Sequence, residues 1–145
     1  MYKKNDFPIT LYLGYLGLTP FVLSLISVIY IPQIKDAAQQ AFIVYSVIII
    51  SFMSGIHWGL ALISNVKKFE KFIISIVVPV LVWITFLLLQ DDIFIIFLGC
   101  MHLVILRVDG IIFIDFDIKP NYLTMRLRLT TIVAALHFLL AFTLS

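Results

Sequence analysis

Cysteine is almost absent from this chain: Cys100 stands alone, so neither an internal disulfide nor a cysteine-based metal cluster can form. The role expected of it is that of a small buried apolar residue. Charge is scarce too, at 12% Asp, Glu, Lys and Arg against 63% hydrophobic residues. A water-soluble domain carries about 25% charged and about 45–50% apolar residues. That deficit excludes a core folded in water and makes lipid the solvent. The net charge of +2, with basic residues dispersed along the chain, lacks the cluster that a phosphate backbone demands, so no nucleic-acid partner is expected. Repeats and low-complexity tracts are missing. So is any serine-nucleophile or paired-carboxylate arrangement, and the chain reads as non-enzymatic, with no cofactor and no metal site.

What is present is a series of long apolar runs. A hydrocarbon layer of about 30 Å takes about 20 residues of helix, with a range of roughly 17–25. Five stretches meet that length, at about residues 9–31, 41–64, 72–89, 93–110 and 122–144. Inside lipid, backbone groups must bond within their own segment, so the runs are helices. Barrel strands would alternate in polarity, and these do not. The fold expected is all-α, one domain over residues 1–145, a membrane bundle of five helices joined by short loops. The fourth span, which meets Arg107 and Asp109, is expected to be the shortest. Residues 111–118 form either an interfacial helix or a loop.

Basic residues set the direction. Lys3, Lys4, Lys67, Lys68, Lys71, Arg107, Lys119, Arg126 and Arg128 fall on the amino-terminal side of a five-span chain, and only Lys35 falls opposite. The positive-inside rule therefore puts the amino terminus in the cytoplasm and the carboxyl terminus outside. The first apolar run exceeds a signal-peptide core and no small-residue cleavage site follows it, so it is expected to be retained. The start is not the Arg-rich, acid-poor leader of a mitochondrial protein. A bacterial inner membrane is the expected location, ahead of the mitochondrial inner membrane.

Helical spacing sorts the polar residues into faces. Ser51, Gly55 and Gly59 recur every four residues, a flat seam expected to pack against another helix of the bundle or, in the sharper reading, a second copy of the chain. About 200° around the same helix, His57 shares a face with Ser46, Met53 and Ser54. Arg126, Thr130, Val133 and His137 line one face of the last span, and Gly99, His102 and Asp109 one face of the fourth. Counting from the span ends places His57 and His102 at one depth, about 10 Å inside the cytoplasmic boundary, which would allow them to meet. Asp109 and Arg126, both near that boundary, are expected to pair, since a bare charge at the bilayer centre costs about 2.5–3.5 kcal/mol. Pro20 and Pro79 lie within spans one and three, where each is expected to remove a backbone hydrogen bond and kink its helix.

Several of these residues also carry a family likeness. The order Leu16-Gly17-Leu18-Thr19-Pro20-Phe21, Tyr45-Ser46, Ser51-Phe52-Met53-Ser54-Gly55-Ile56-His57-Trp58-Gly59, Pro79, Asp109, Pro120, Tyr122, Arg126 and Leu129-Thr130 resembles the membrane family named domain of unknown function 3429, whose animal member is transmembrane protein 69. The resemblance spans nearly the whole chain. It implies a five-span inner-membrane protein of bacteria or mitochondria and no established activity.

The leading functional expectation is a helper or scaffold in a membrane assembly, working in the lipid bilayer with a membrane-protein partner or as a homo-oligomer. The alternative is a small-solute or proton pathway lined by His57, His102, Asp109, Thr130 and Arg126. A minor alternative gives His57 and His102 to haem or quinone.

Overall fold

The computed structural model describes residues 6–63, 68–113 and 120–144. These form α1 (Asp6–Leu16), α2 (Thr19–Tyr30), a 3₁₀ turn (Pro32–Ile34), α3 (Lys35–Ile63), α4 (Lys68–Leu88), α5 (Asp91–Ile112) and α6 (Pro120–Leu144), and no strand occurs among the described residues. The chain is all-α. Five segments are long and apolar enough to cross a membrane: Ile9–Tyr30, Pro32–Ile63, Phe69–Leu88, Asp91–Ile112 and Asn121–Leu144.

The first crossing is two helices, not one bent helix. A proline at position 20 cannot bond back to the carbonyl of Leu16, and the hydroxyl of Thr19 donates to that oxygen instead, at 2.7 Å. The carbonyl of Gly17, left without its partner at the break, accepts from Tyr45 Oη of α3 at 3.0 Å. Pro20 sits in the first turn of α2, where a missing N–H costs little. In place of the expected kink there is a break at Gly17-Leu18 with its carbonyls re-satisfied. Pro79, by contrast, lies inside α4, and that helix continues through it.

Two further boundaries differ from those expected. The helix of span two starts at Lys35 rather than near residue 41. Its extra turns contain Ala, Gln and Lys, all good helix formers, and Gln39 and Gln40 donate to Asp91 Oδ2 of α5 at 3.0 and 2.9 Å. Span four is 22 residues long, longer than the 20-residue third. Arg107 and Asp109 do not end it, because Asp109 is buried and partnered while Arg107 is exposed. Of residues 111–118, Ile111 and Ile112 complete α5, and 114–119 lie outside the described residues.

The core forms where α2, α3, α5 and α6 meet, around Phe21, Phe42, Ile50, Ile95, Leu98 and Leu140, each at most 1% exposed. α4 covers one side of α3, with Val78 and Val82 buried. Large apolar side chains such as Leu23, Tyr30, Phe52, Leu88 and Phe142 point outward, as a bilayer-facing surface requires. Cys100 is exposed on this surface and not in the core.

Glycine placement also differs from expectation. Ser51, Gly55 and Gly59 are exposed, and a Cβ built on either glycine would meet nothing within 4 Å. The seam expected to pack within the bundle faces away from it, since the interior of α3 is its His57 face. Close helix approach is made by other glycines. A Cβ on Gly99 would stand 2.9 Å from His137 Cβ, and one on Gly14 would stand 2.9 Å from Leu129 Cδ1.

Candidate functional site

Among the described residues, two polar clusters inside the bundle each join α3, α5 and α6. In the first, Asp109 of α5 is the hub, 2% exposed. His57 Nε2 of α3 donates to its Oδ1 at 2.7 Å. Arg126 of α6 donates to its Oδ2 from Nε, at 3.1 Å, and from Nη2, while Nη1 touches Met53 Sδ of α3. A carboxylate shared by a guanidinium and an imidazole has both oxygens satisfied, which removes most of the cost of holding these groups in hydrocarbon. His57 Nδ1 is buried without a hydrogen-bond partner.

In the second cluster Ser46 of α3 lies between two histidines, 3.1 Å from His102 Nε2 of α5 and 2.7 Å from His137 Nε2 of α6. The hydrogens follow from one fixed acceptor. His137 Nδ1 lies 2.8 Å from the carbonyl of Val133 and must donate to it, so in the neutral ring Nε2 accepts. Ser46 then donates to His137, and its oxygen accepts from His102 Nε2–H. Phe21 and Phe42 pack against His137 at ring-centroid distances of 5.5 and 4.7 Å, and the two imidazoles lie 5.1 Å apart. Removing water around a hydrogen-bonded chain strengthens it and makes a missing member costly.

The structure thus joins Asp109 to Arg126 and adds His57 to them. It does not bring His57 to His102. Level pairing from the assumed span ends gives an offset of 45 between the two helices, whereas His57 meets Asp109 at an offset of 52, in register with Gln40 and Asp91 at 51. The shift of seven residues is about 10 Å of helix. Part of it arises because α5 runs three residues past Asp109, to Ile112. With Nε2 of His57 bound to Asp109 and Nε2 of His102 bound to Ser46, the two imidazoles do not form a facing pair for haem. Among the described residues no group of three or more His, Cys, Asp or Glu could hold a metal ion. Ser46, Met53 and His137 were outside the expected site, though each already shared a helical face with a member of it.

Thr130, between Arg126 and His137 on α6, is 6% exposed. It borders a cavity of about 220 Å³ that also touches His102, Arg126, Phe21, Phe52 and Leu129. The cavity lies beside both clusters, against the broken first crossing.

A family model described as protein of unknown function (DUF3429) matches residues 7–142. The chain belongs to that family. For DUF3429 the match reaches into all five crossings and covers every member of both polar clusters, so the site is built from residues inside the family's domain. No curated protein and no solved structure matches this DUF3429 chain.

Proposed function

We propose that the protein is a non-enzymatic membrane component, a helper or scaffold that works by contacts made within the bilayer. The observation that carries this reading is the state of Asp109, the buried carboxylate best placed for acid–base chemistry: His57 and Arg126 occupy both of its oxygens. Such a group ties three helices together, and each of its oxygens is engaged by a neighbouring helix and not turned toward a substrate. Its partner, another membrane protein or a second copy, meets the outward face of α3, where Ser51, Gly55 and Gly59 allow close helix approach. The chain is oriented with its amino terminus in the cytoplasm and its carboxyl terminus outside, in the inner membrane of a bacterium. Purification from native membranes in mild detergent tests the role. A stoichiometric partner lost in Gly55→Leu supports it; absence of any partner, together with full cellular function of Gly55→Leu, contradicts it.

The cavity beside His102, Thr130 and Arg126 favours a second reading, a small-solute or proton pathway that also uses His57 and Asp109. Proteoliposomes holding the protein and an internal pH dye decide between the two. A proton leak abolished by Asp109→Asn supports the pathway, and tightness equal to that of empty liposomes supports the scaffold.

A further inference from the structure

The cavity walls are mostly apolar, with Leu13 of α1, Phe21 of α2 and Phe52 of α3 among them, and polar groups enter only at His102, Arg126 and Thr130. Leu13 and Phe52, on its rim, are 62% and 64% exposed, so the mouth between α1 and α3 opens on the lipid-facing surface. Hydrocarbon, not bulk water, is what stands outside it. Thr130 offers a polar anchor on the cavity wall. In α6, Thr131 and Thr143 bond back to the carbonyls of Leu127 and Leu140, and Thr124 is also bonded. Thr130 is more than nine-tenths buried, borders the cavity, and its hydroxyl has no hydrogen-bond partner among the described residues. Since the buried atoms without a partner include His57 Nδ1 and not this hydroxyl, Thr130 Oγ1 is open to the crevice, where a ligand group or water can complete its bonding.

Charge decides what that group is. The guanidinium of Arg126 is already neutralised by Asp109, so an anionic head would bring a second negative charge to a site with one positive charge, in a medium that punishes imbalance. An uncharged oxygen pairs with Thr130 and with a spare Arg126 N–H without disturbing that balance. Size sets the body: an apolar cavity of about 150 Å³ holds one benzene ring, and about 220 Å³ admits one ring with its polar substituent. We propose that this crevice binds a single-ring apolar molecule with an uncharged oxygen head group, taken laterally from the bilayer, with the oxygen on Thr130 and any alkyl tail leaving between Leu13 and Phe52.

The test is equilibrium binding of tritiated 4-octylphenol to the full-length protein in nanodiscs, with empty nanodiscs subtracted, and unlabelled octylbenzene and 4-octylbenzoate as competitors. The proposal expects saturable binding, at least fivefold weaker competition by either competitor, and about five- to tenfold weaker 4-octylphenol binding by Thr130→Val, the effect of one lost hydrogen bond. Ile49→Trp, which fills the cavity from α3, should abolish binding while the protein elutes as a single species of unchanged helicity. Four results would overturn it: no saturable binding to the wild type, octylbenzene competing as well as 4-octylphenol, 4-octylbenzoate competing better, or binding unchanged in both variants.

Discussion

Replacing Asp109 by Ala removes the counter-charge of Arg126 and the acceptor of His57 in a single step. The Asp109 and Arg126 side chains are 3% and 11% exposed, so little water is on hand to compensate. Breaking a buried ion pair from one side costs about 3–5 kcal/mol, while the insertion cost of about 2.5–3.5 kcal/mol for a bare arginine applies at the bilayer centre and is smaller for Arg126, five residues into its span. The ion-pair route sets the loss for Asp109→Ala at about 3 kcal/mol or more. Arg126→Ala should lose less, about 2–3 kcal/mol, because His57 still donates to the carboxylate. In the double variant no bare charge remains, so the combined loss should fall short of the sum by about 2 kcal/mol. Reversible unfolding by SDS in mixed micelles, read by helicity across the four proteins, measures the coupling. Losses that add to within about 0.5 kcal/mol, or an Asp109→Ala loss below about 1 kcal/mol, would refute a charge pair that holds the bundle together.

Gly99→Ala should cost about 1–3 kcal/mol by forcing α5 from α6 at His137, whereas Gly55→Ala and Gly59→Ala should leave the monomer's stability unchanged or slightly raised; thermal unfolding in detergent compares them. Ser46→Ala leaves His102 Nε2 and His137 Nε2 without their shared partner, a loss of about 1–3 kcal/mol, and should broaden or shift both imidazole signals in NMR of histidine-labelled protein. Thr19→Val removes the donor that replaces the amide missing at Pro20 and should cost about 1 kcal/mol, with faster hydrogen exchange confined to residues around the break.

The five crossings were legible because hydropathy over about 20 residues is a local property that lipid enforces. The start of α3 was not, since its extra turns are polar and one of their anchors, Asp91, is distant in sequence. Helical spacing identified the face carrying His57 and the face carrying Arg126, and those faces do point inward. Spacing cannot say what stands opposite a face. For that reason the spacing of Gly55 and Gly59 fits packing inside the bundle or against a second copy equally well, while Gly99, with no seam pattern to announce it, makes the close contact with His137. Depth failed for a related cause: a charged residue does not have to end a span, and α5 runs past Asp109 to Ile112 because His57 and Arg126 neutralise the carboxylate. Pro20 gave the right place but the wrong consequence, because Thr19 and Tyr45 supply hydrogen bonds that only the folded chain reveals.

Under the proposed topology the five crossings put the two ends on opposite faces of the bilayer, with the amino terminus in the cytoplasm, where the positive-inside rule collects Lys and Arg. Paired reporter fusions measure this most directly, with a fluorescent protein active only in the cytoplasm and an alkaline phosphatase active only outside, each placed in turn at either end. Fluorescence at the amino terminus with phosphatase activity at the carboxyl terminus is the predicted result; the same reporter active at both ends would contradict it.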